Sequence, residues 1–180
     1  LGNGGHDVDR YTIELEGDAD LNAVSGTTTI EAVATEDLSM FNLDFIGYTI
    51  DLIAVNDRPA RFLRAGRELG VTPLEPLRAG EPFTVTARYD TGVFVASEPA
   101  GAARWFPVTD HPRDKAAYTF RITVPEPYVV AANGLLQATV DWGERVTFVW
   151  QTDYPMASYL ATVNIAEFVV ETLDGPDGLP

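Results

Sequence analysis

The stretch "RWFPVTDHPRDKAAYTFRITVP" (Arg104–Pro125) changes character at its midpoint. Its first half crowds Trp105, Phe106, Pro107, Asp110, His111, Pro112, Arg113, Asp114 and Lys115 together. From Tyr118 onward it alternates, with Phe120, Ile122 and Val124 on one side. Strict alternation marks a β-strand with one face in the core and one in water. A long aromatic and charged segment delivering the chain into such a strand reads as a crossover within an all-β domain.

The surrounding sequence repeats the strand pattern. "YTIELEG" places Tyr11, Ile13 and Leu15 opposite Thr12, Glu14 and Glu16, and "VSGTTTIEAVATE" is its expected antiparallel neighbour. "LSMFNLDF" sets Met40 against Phe41 and Leu43, and "YTIDLIAVN" follows Gly47. "NDRP" (Asn56–Pro59) is a turn signal, after which "ARFLRAG" is expected to return as a hairpin. "FTVTARYD" alternates and runs into "TGVFVAS". Asn133-Gly134 is a strong hairpin signal within "YVVAANGLLQATVDW". "RVTFVWQ" alternates again, and two strands are expected at Ser158–Val163 and Ala166–Leu173. No segment keeps a 3.6-residue period. The expectation is a single β domain over residues 1–173, a β-sandwich or large twisted antiparallel sheet, with residues 174–180 as a linker.

The chain has 180 residues, 46% of them hydrophobic, which is enough for one core. It has no cysteine, so disulfides and thiolate metal sites are excluded. Its 27 acidic and 12 basic residues give a net charge of −15. Such a surface repels phosphate backbones and argues against a nucleic-acid partner. The longest charge-free apolar stretch, Pro127–Val140, is interrupted by Asn133, Gly134 and Gln137, whereas a spanning helix needs about 20 apolar residues. Membrane insertion is not expected. The acidic, cysteine-free composition suits an extracellular or exported protein, and a cytoplasmic one is also compatible.

Chemistry is sparse. The two histidines, His6 and His111, are far apart in sequence, and no His-Glu-x-x-His is present. There is no cysteine nucleophile, no Gly-x-Ser-x-Gly and no phosphate-cradling glycine loop. "DVD" (Asp7–Asp9) and "DGPDG" (Asp174–Gly178) are short acidic turns, neither of them a complete calcium loop. The residues alone describe an acidic all-β domain with no catalytic and no metal-binding residues of its own. Trp105 and Phe106 suit buried anchors better than an exposed recognition surface. Asp110, Arg113, Asp114 and Lys115 are expected to tie down the crossover through ion pairs and turn hydrogen bonds.

The Phe106-Pro107-x-x-Asp110-x-Pro112-x-x-Lys115-Ala116-x-Tyr118 spacing resembles the N-terminal domain of the M1 family of zinc aminopeptidases, the relatives of aminopeptidase N and leukotriene A4 hydrolase. In that pattern Val108 stands where the family usually has Cys. "VSGTTTIEA", "LDFIGYTIDLIAVNDRPARF", "VVAANGLL" and "YPMASYLATVNIAEF" are similar to further family segments, in the family's order. Asp57 and Ala166 stand at positions where glycine is usual.

This resemblance implies a saddle-like, mainly antiparallel β domain packed against a catalytic domain of the same chain, which carries the His-Glu-x-x-His zinc helix. It implies a peptide substrate, zinc in that second domain and no cofactor in this one. It also implies that these residues alone are inactive. The family carries a Gln-x-Glu-type pair just before the Phe-Pro segment, whose acid meets the substrate's free α-amine. Counted back without a gap, Glu98 falls on the acid and Ala96 on the glutamine, a pocket-wall position. Phe106, Pro107, Asp110, Pro112 and Lys115 would shape the loop. Two other readings stand beside this one: a non-catalytic interaction scaffold of the same fold, and a free-standing adhesin-type or carbohydrate-binding sandwich with exposed Trp105, Trp142 and Trp150.

Overall fold

A computed structural model describes residues 3–18, 20–21, 23–47, 49–92 and 100–171. An eight-stranded sheet forms the frame. In chain order its members are β1 (His6–Gly17), β2 (Val24–Ala34), β4 (Ile50–Val55), β5 (Arg58–Pro59), β8 (Pro82–Thr91), β9 (Lys115–Pro125), β11 (Leu135–Asp141) and β12 (Arg145–Ala157). Their spatial order is β11-β12-β9-β1-β2-β8-β4-β5. Every pairing in it is antiparallel except β1 with β9, which run parallel. A three-stranded sheet, β3 (Phe41–Asp44), β7 (Glu68–Thr72) and β6 (Arg61–Ala65), and a two-stranded one, β10 (Val129–Ala132) with β13 (Val163–Ala166), complete the domain. The helical content of the described residues is two 3₁₀ turns, Ala102–Arg104 and Ser158–Leu160. The all-β, mainly antiparallel class expected from the sequence is the one formed.

Alternation places the core on one face of the large sheet. Ile13 and Leu15 of β1, Ile30 and Ala32 of β2, Val85 and Tyr89 of β8, and Phe120 and Ile122 of β9 are buried. The intervening Glu14, Thr27, Arg88 and Arg121 face outward. A bulge between Val8 and Arg10 shifts the register of β1 against β2. It resets the parity, so that His6 and Val8 before it and Tyr11 and Ile13 after it all point inward. Phe41, Leu43, Leu69 and Val71 of the small sheet join the same core, as do Ala102, Ala103, Trp105, Phe106 and Val108 of the crossover. The crossover lies across the core rather than outside it.

Three local expectations are corrected. The Asn56-Asp57 turn returns only Arg58–Pro59 to β4, and the rest of "ARFLRAG" leaves to form β6 in the three-stranded sheet. Asn133-Gly134 does not close a hairpin. Gly134 has φ +94°, but the strands on either side join different sheets, β10 pairing with β13 and β11 with β12. The hairpin is instead β11–β12, turning at Trp142–Glu144, where Gly143 (φ +97°) supplies the left-handed position. Finally, Ser158–Leu160 is a 3₁₀ turn, and the strand that follows is Val163–Ala166. Residues 167–171 are not in a strand, and Leu173 lies outside the described residues. The expected domain boundary at 173 and the linker at 174–180 lie outside them too.

Candidate functional site: the hub beneath the crossover

The crossover after Gly101 begins with a tight turn. Trp105 N–H donates to the Ala102 carbonyl (3.0 Å) and Arg104 N–H to the Gly101 carbonyl (2.9 Å). Phe106 is fully buried and sits edge-on to Tyr11 (5.6 Å between ring centres) and to Tyr118 (6.4 Å). Tyr11 stacks on Tyr118 at 5.2 Å. Aromatic groups of this size bury roughly 150–250 Å² each, so this triad pins the crossover to β1 and β9. Val108 and Asp44 exchange backbone hydrogen bonds of 2.7 and 3.1 Å, and Ile46 N–H reaches the Ala103 carbonyl at 2.6 Å. The crossover is thereby laced to the end of β3.

Beneath it lies a charged hub. Asp44 and Asp110 are both buried, and both face the guanidinium of Arg67. Arg67 sits in the turn between β6 and β7. Its Nε donates to Asp44 Oδ1 at 2.8 Å, its Nη2 donates to Asp110 Oδ2, and its Nη1 donates to the Ala100 carbonyl at 3.0 Å. The remaining carboxylate oxygens are also used. Asp44 Oδ2 accepts Asp110 N–H at 3.1 Å, and Asp110 Oδ1 accepts the Ser158 hydroxyl at 2.7 Å. All four acid oxygens are satisfied, which buried carboxylates require. Although burial opposes the charge on Arg67, hydrogen bonds and attraction from Asp44 and Asp110 raise its pKa further.

A second buried cluster flanks the first. Thr109 N–H donates to the Tyr11 hydroxyl (3.0 Å), and Thr109 Oγ1 lies 2.9 Å from His6 Nε2. Burial lowers the pKa of His6, with nearby Asp7 acting the other way. Val8 N–H approaches Asp114 Oδ1 at 3.5 Å. Burial pushes the Asp114 carboxyl up to about 6, the Val8 contact opposes the shift, and repulsion from Asp7 adds to it. The hydroxyls of Tyr11 and Tyr118 are shifted far above the usual phenol range, chiefly by burial.

Of the residues singled out in the sequence, Phe106, Pro107 and Asp110 are buried in this assembly. Pro112 and Lys115 are exposed; Pro112 lies in the His111–Asp114 turn, and Lys115 opens β9. Arg113 is also exposed, and its N–H donates to His111 Nδ1 (3.1 Å). Glu98 and Ala96 lie outside the described residues. Sequence reasoning missed Arg67 and Ser158. The available signal was "NLDF", where Asp44 sits between the buried Leu43 and Phe45. A carboxylate in an apolar run demands a cation.

The histidines do not assemble a metal site. His6 Nε2 is occupied by Thr109, and among the described residues no three His, Asp or Glu side chains gather to hold an ion. Zinc does not fit these residues. Asp7 and Asp9 lie within β1, and Asp174–Gly178 lies outside the described residues. On the outer face a shallow concavity of about 520 Å³ is lined by Glu14, Thr27, Arg88, Arg121 and Trp142 among others. Of the three tryptophans, Trp105 is buried and Trp150 is half-buried, with Nε1 on the Val130 carbonyl (3.1 Å). Trp142 is 69% exposed.

The same crossover carries the likeness to known proteins. Residues 83–160 match the family model described as the Peptidase M1 N-terminal domain. The M1 zinc metallopeptidase of Deinococcus radiodurans, in a variant bound to a Tyr-Ser-Ala substrate, superposes over 91% of this chain with TM-score 0.83 and 27% identity. The chain is thus similar to M1 peptidase N-terminal domains, in sequence over residues 83–160 and in fold over most of its length. The aminopeptidase A of Gloydius brevicauda and the glutamyl aminopeptidase of Bitis rhinoceros are each 30% identical to it over 84 residues. That alignment takes in 46% of this chain and 9% of either enzyme. The domain covers 43% of the Deinococcus chain. Another solved relative is described as a two-domain M1 zinc metallopeptidase bound to L-tryptophan.

Proposed function

We propose that this domain is the substrate-recognition half of a zinc-dependent aminopeptidase that removes N-terminal residues from peptides. Its partners are a catalytic domain of the same chain, which holds the zinc, and the peptide itself. Glu98 receives the substrate's free α-amine, and Ala96 forms part of the wall of the first pocket. The observation that carries this reading is the match to the M1 N-terminal domain, over a segment that includes Glu98 and the crossover. The solved relative with a bound Tyr-Ser-Ala substrate supports a peptide as the class of ligand.

The chemistry agrees. An aminopeptidase must distinguish an ammonium from a neutral amide, and a carboxylate does so by charge. Two unit charges about 4 Å apart interact by about 1 kcal/mol in water and about 4 at an effective dielectric of 20. In the full-length protein, Glu98→Ala should lower kcat/KM by about 10- to 1,000-fold, or about 1.4–4 kcal/mol. Unchanged kinetics would remove Glu98 from the role. A coding sequence without His-Glu-x-x-His would move the domain to the scaffold reading.

A further inference from the structure

We propose that the outer concave face of the large sheet is a binding site for a neutral oligosaccharide, with Trp142 as its stacking platform and Arg88 and Asp51 as its polar anchors at the far side. The site is separate from the peptidase reading and does not rest on it. It needs one exposed tryptophan rather than three.

The platform is built rather than incidental. Trp142 is 69% exposed, yet its Nε1 donates to Thr147 Oγ1 at 2.9 Å. Thr147 Oγ1 in turn shares a hydrogen bond of 2.8 Å with Thr123 Oγ1. An exposed indole is thus held in one orientation at the edge of the concavity. Across the floor, Arg121, Glu14, Thr27 and Arg88 stand opposite one another in register on β9, β1, β2 and β8. A bulge between Ile50 and Leu52 of β4 leaves Asp51 without a cross-strand partner, and Asp51 lines the same concavity.

This lining selects the ligand class. The floor strands β9, β1, β2 and β8 are interior strands, each paired on both sides. Their backbone groups are spent, so a peptide cannot add to them as a further strand. The floor offers charged and hydroxyl side chains instead of apolar side-chain pockets. A pyranose suits such a surface: its C–H face stacks on an indole, and its rim of hydroxyls takes paired hydrogen bonds from carboxylate and guanidinium. The charges point to a neutral sugar. Glu14 is engaged by Arg121 (3.1 Å) and Glu16 by Arg145 (3.2 Å). Arg88 and Asp51, which form no ion pair among the described residues, offset one another. The chain's net charge of −15 also repels a polyanionic glycan. Size fits a short chain of sugars. The concavity of about 520 Å³ is within the range of small-molecule sites. Thr147 and Arg88 lie four strands apart, about 19 Å at about 4.8 Å per strand.

The test is calorimetric titration of the full-length protein with cellotriose, maltotriose and triacetylchitotriose, and with a heparin hexasaccharide as the anionic counterpart. At least one neutral trisaccharide should bind with Kd of about 1 mM or tighter. Trp142→Ala and Arg88→Ala should each weaken it by about tenfold or more, while Trp142→Ala leaves peptide hydrolysis within about twofold. Heparin should bind more weakly than the neutral sugar. Absence of binding by all three neutral sugars overturns the proposal. So does binding that both variants leave unchanged, which would put the sugar elsewhere, and so does tighter binding of heparin. Loss of peptide hydrolysis in a folded Trp142→Ala would make this face part of the peptide site and overturn it as well. Should Trp142→Ala fail to fold, Arg88→Ala and Asp51→Asn carry the test. Peptide hydrolysis by the parent protein is measured separately, so failure of the sugar site leaves the peptidase reading standing, and the converse holds.

Discussion

Asp44 accepts the backbone N–H of Asp110 at 3.1 Å while the side chains of both face the same guanidinium. Two buried acids are thus held side by side, one cation short of neutrality. This is tolerable because each oxygen has a donor, and it makes the pair sensitive to partial removal. Breaking a buried ion pair by deleting one partner typically costs about 3–5 kcal/mol. Arg67 is partly exposed, so water softens the loss on its side. Asp110→Ala should therefore destabilise by about 3 kcal/mol, leaving the Ser158 hydroxyl without its acceptor. Asp110→Asn keeps an acceptor for Ser158 and balances the remaining Asp44–Arg67 pair, so it should cost clearly less. Urea unfolding of the three proteins checks the order, and equal midpoints for both variants would refute it.

Asp114 gives a pH-dependent prediction. Its folded carboxyl titrates near 6, against 3.8 for the free group. Below pH about 3.8 it is neutral in both states and costs nothing. As pH rises through 3.8 to 6, the unfolded chain ionises and the fold resists, so stability falls; the full cost is present above pH 6. His6 has the opposite slope, since its lowered pKa makes stability fall as pH drops below 6.5. Asp114→Asn removes only the first effect. Thermal melts should show the variant more stable than the parent at pH 7.5, by about 1 kcal/mol after allowance for partial solvent screening. The gap should close toward pH 4. A constant gap across that range would place the effect outside this titration.

Much of this was legible in the sequence. β1, β2, β8 and β9 alternate because their sheet has one wet face, and period two is the direct imprint of that. Trp105 and Phe106 read as anchors because aromatic groups of that size need a core. β11 carried little signal, because every one of its seven residues is exposed and no face selects a pattern. Asn133-Gly134 misled for a related reason. The dipeptide specifies a left-handed turn, but the sheet each flanking strand joins is set by long-range pairing. Arg67 was invisible because "RAGREL" looks like a surface turn; only Asp44 and Asp110, distant in sequence, make it structural.

Gly26 tests how tightly the large sheet is packed. A β-carbon there would lie 2.7 Å from Cε2 and Cζ of Tyr89 and 2.9 Å from its hydroxyl. Tyr89 cannot step aside freely, since it is buried, packs edge-on against Phe45 at 5.0 Å and bonds Thr28 Oγ1 at 2.7 Å. Gly26→Ala should cost about 1–3 kcal/mol by overpacking. Calorimetry would show a lowered Tm, and an unchanged one would mean that Tyr89 has room to move.

Trp142 bears on the glycan-binding alternative. A sugar-binding face works through aromatic platforms open to solvent, and of the three tryptophans only Trp142 is mostly exposed. Its indole Nε1 donates to Thr147 Oγ1 at 2.9 Å, which gives the ring a fixed orientation at the β11–β12 turn. Trp105 of the crossover is buried against the core, 4.5 Å from Phe106 between ring centres, so a collisional quencher should reach it poorly. Acrylamide should therefore quench a fast fraction of the native fluorescence that disappears in Trp142→Phe, with the residual emission blue-shifted and protected. Quenching that survives this substitution undiminished but disappears in Trp105→Phe would mean that Trp105 is open to solvent. The crossover would then not be seated on the core, and a multi-platform binding face would regain its footing.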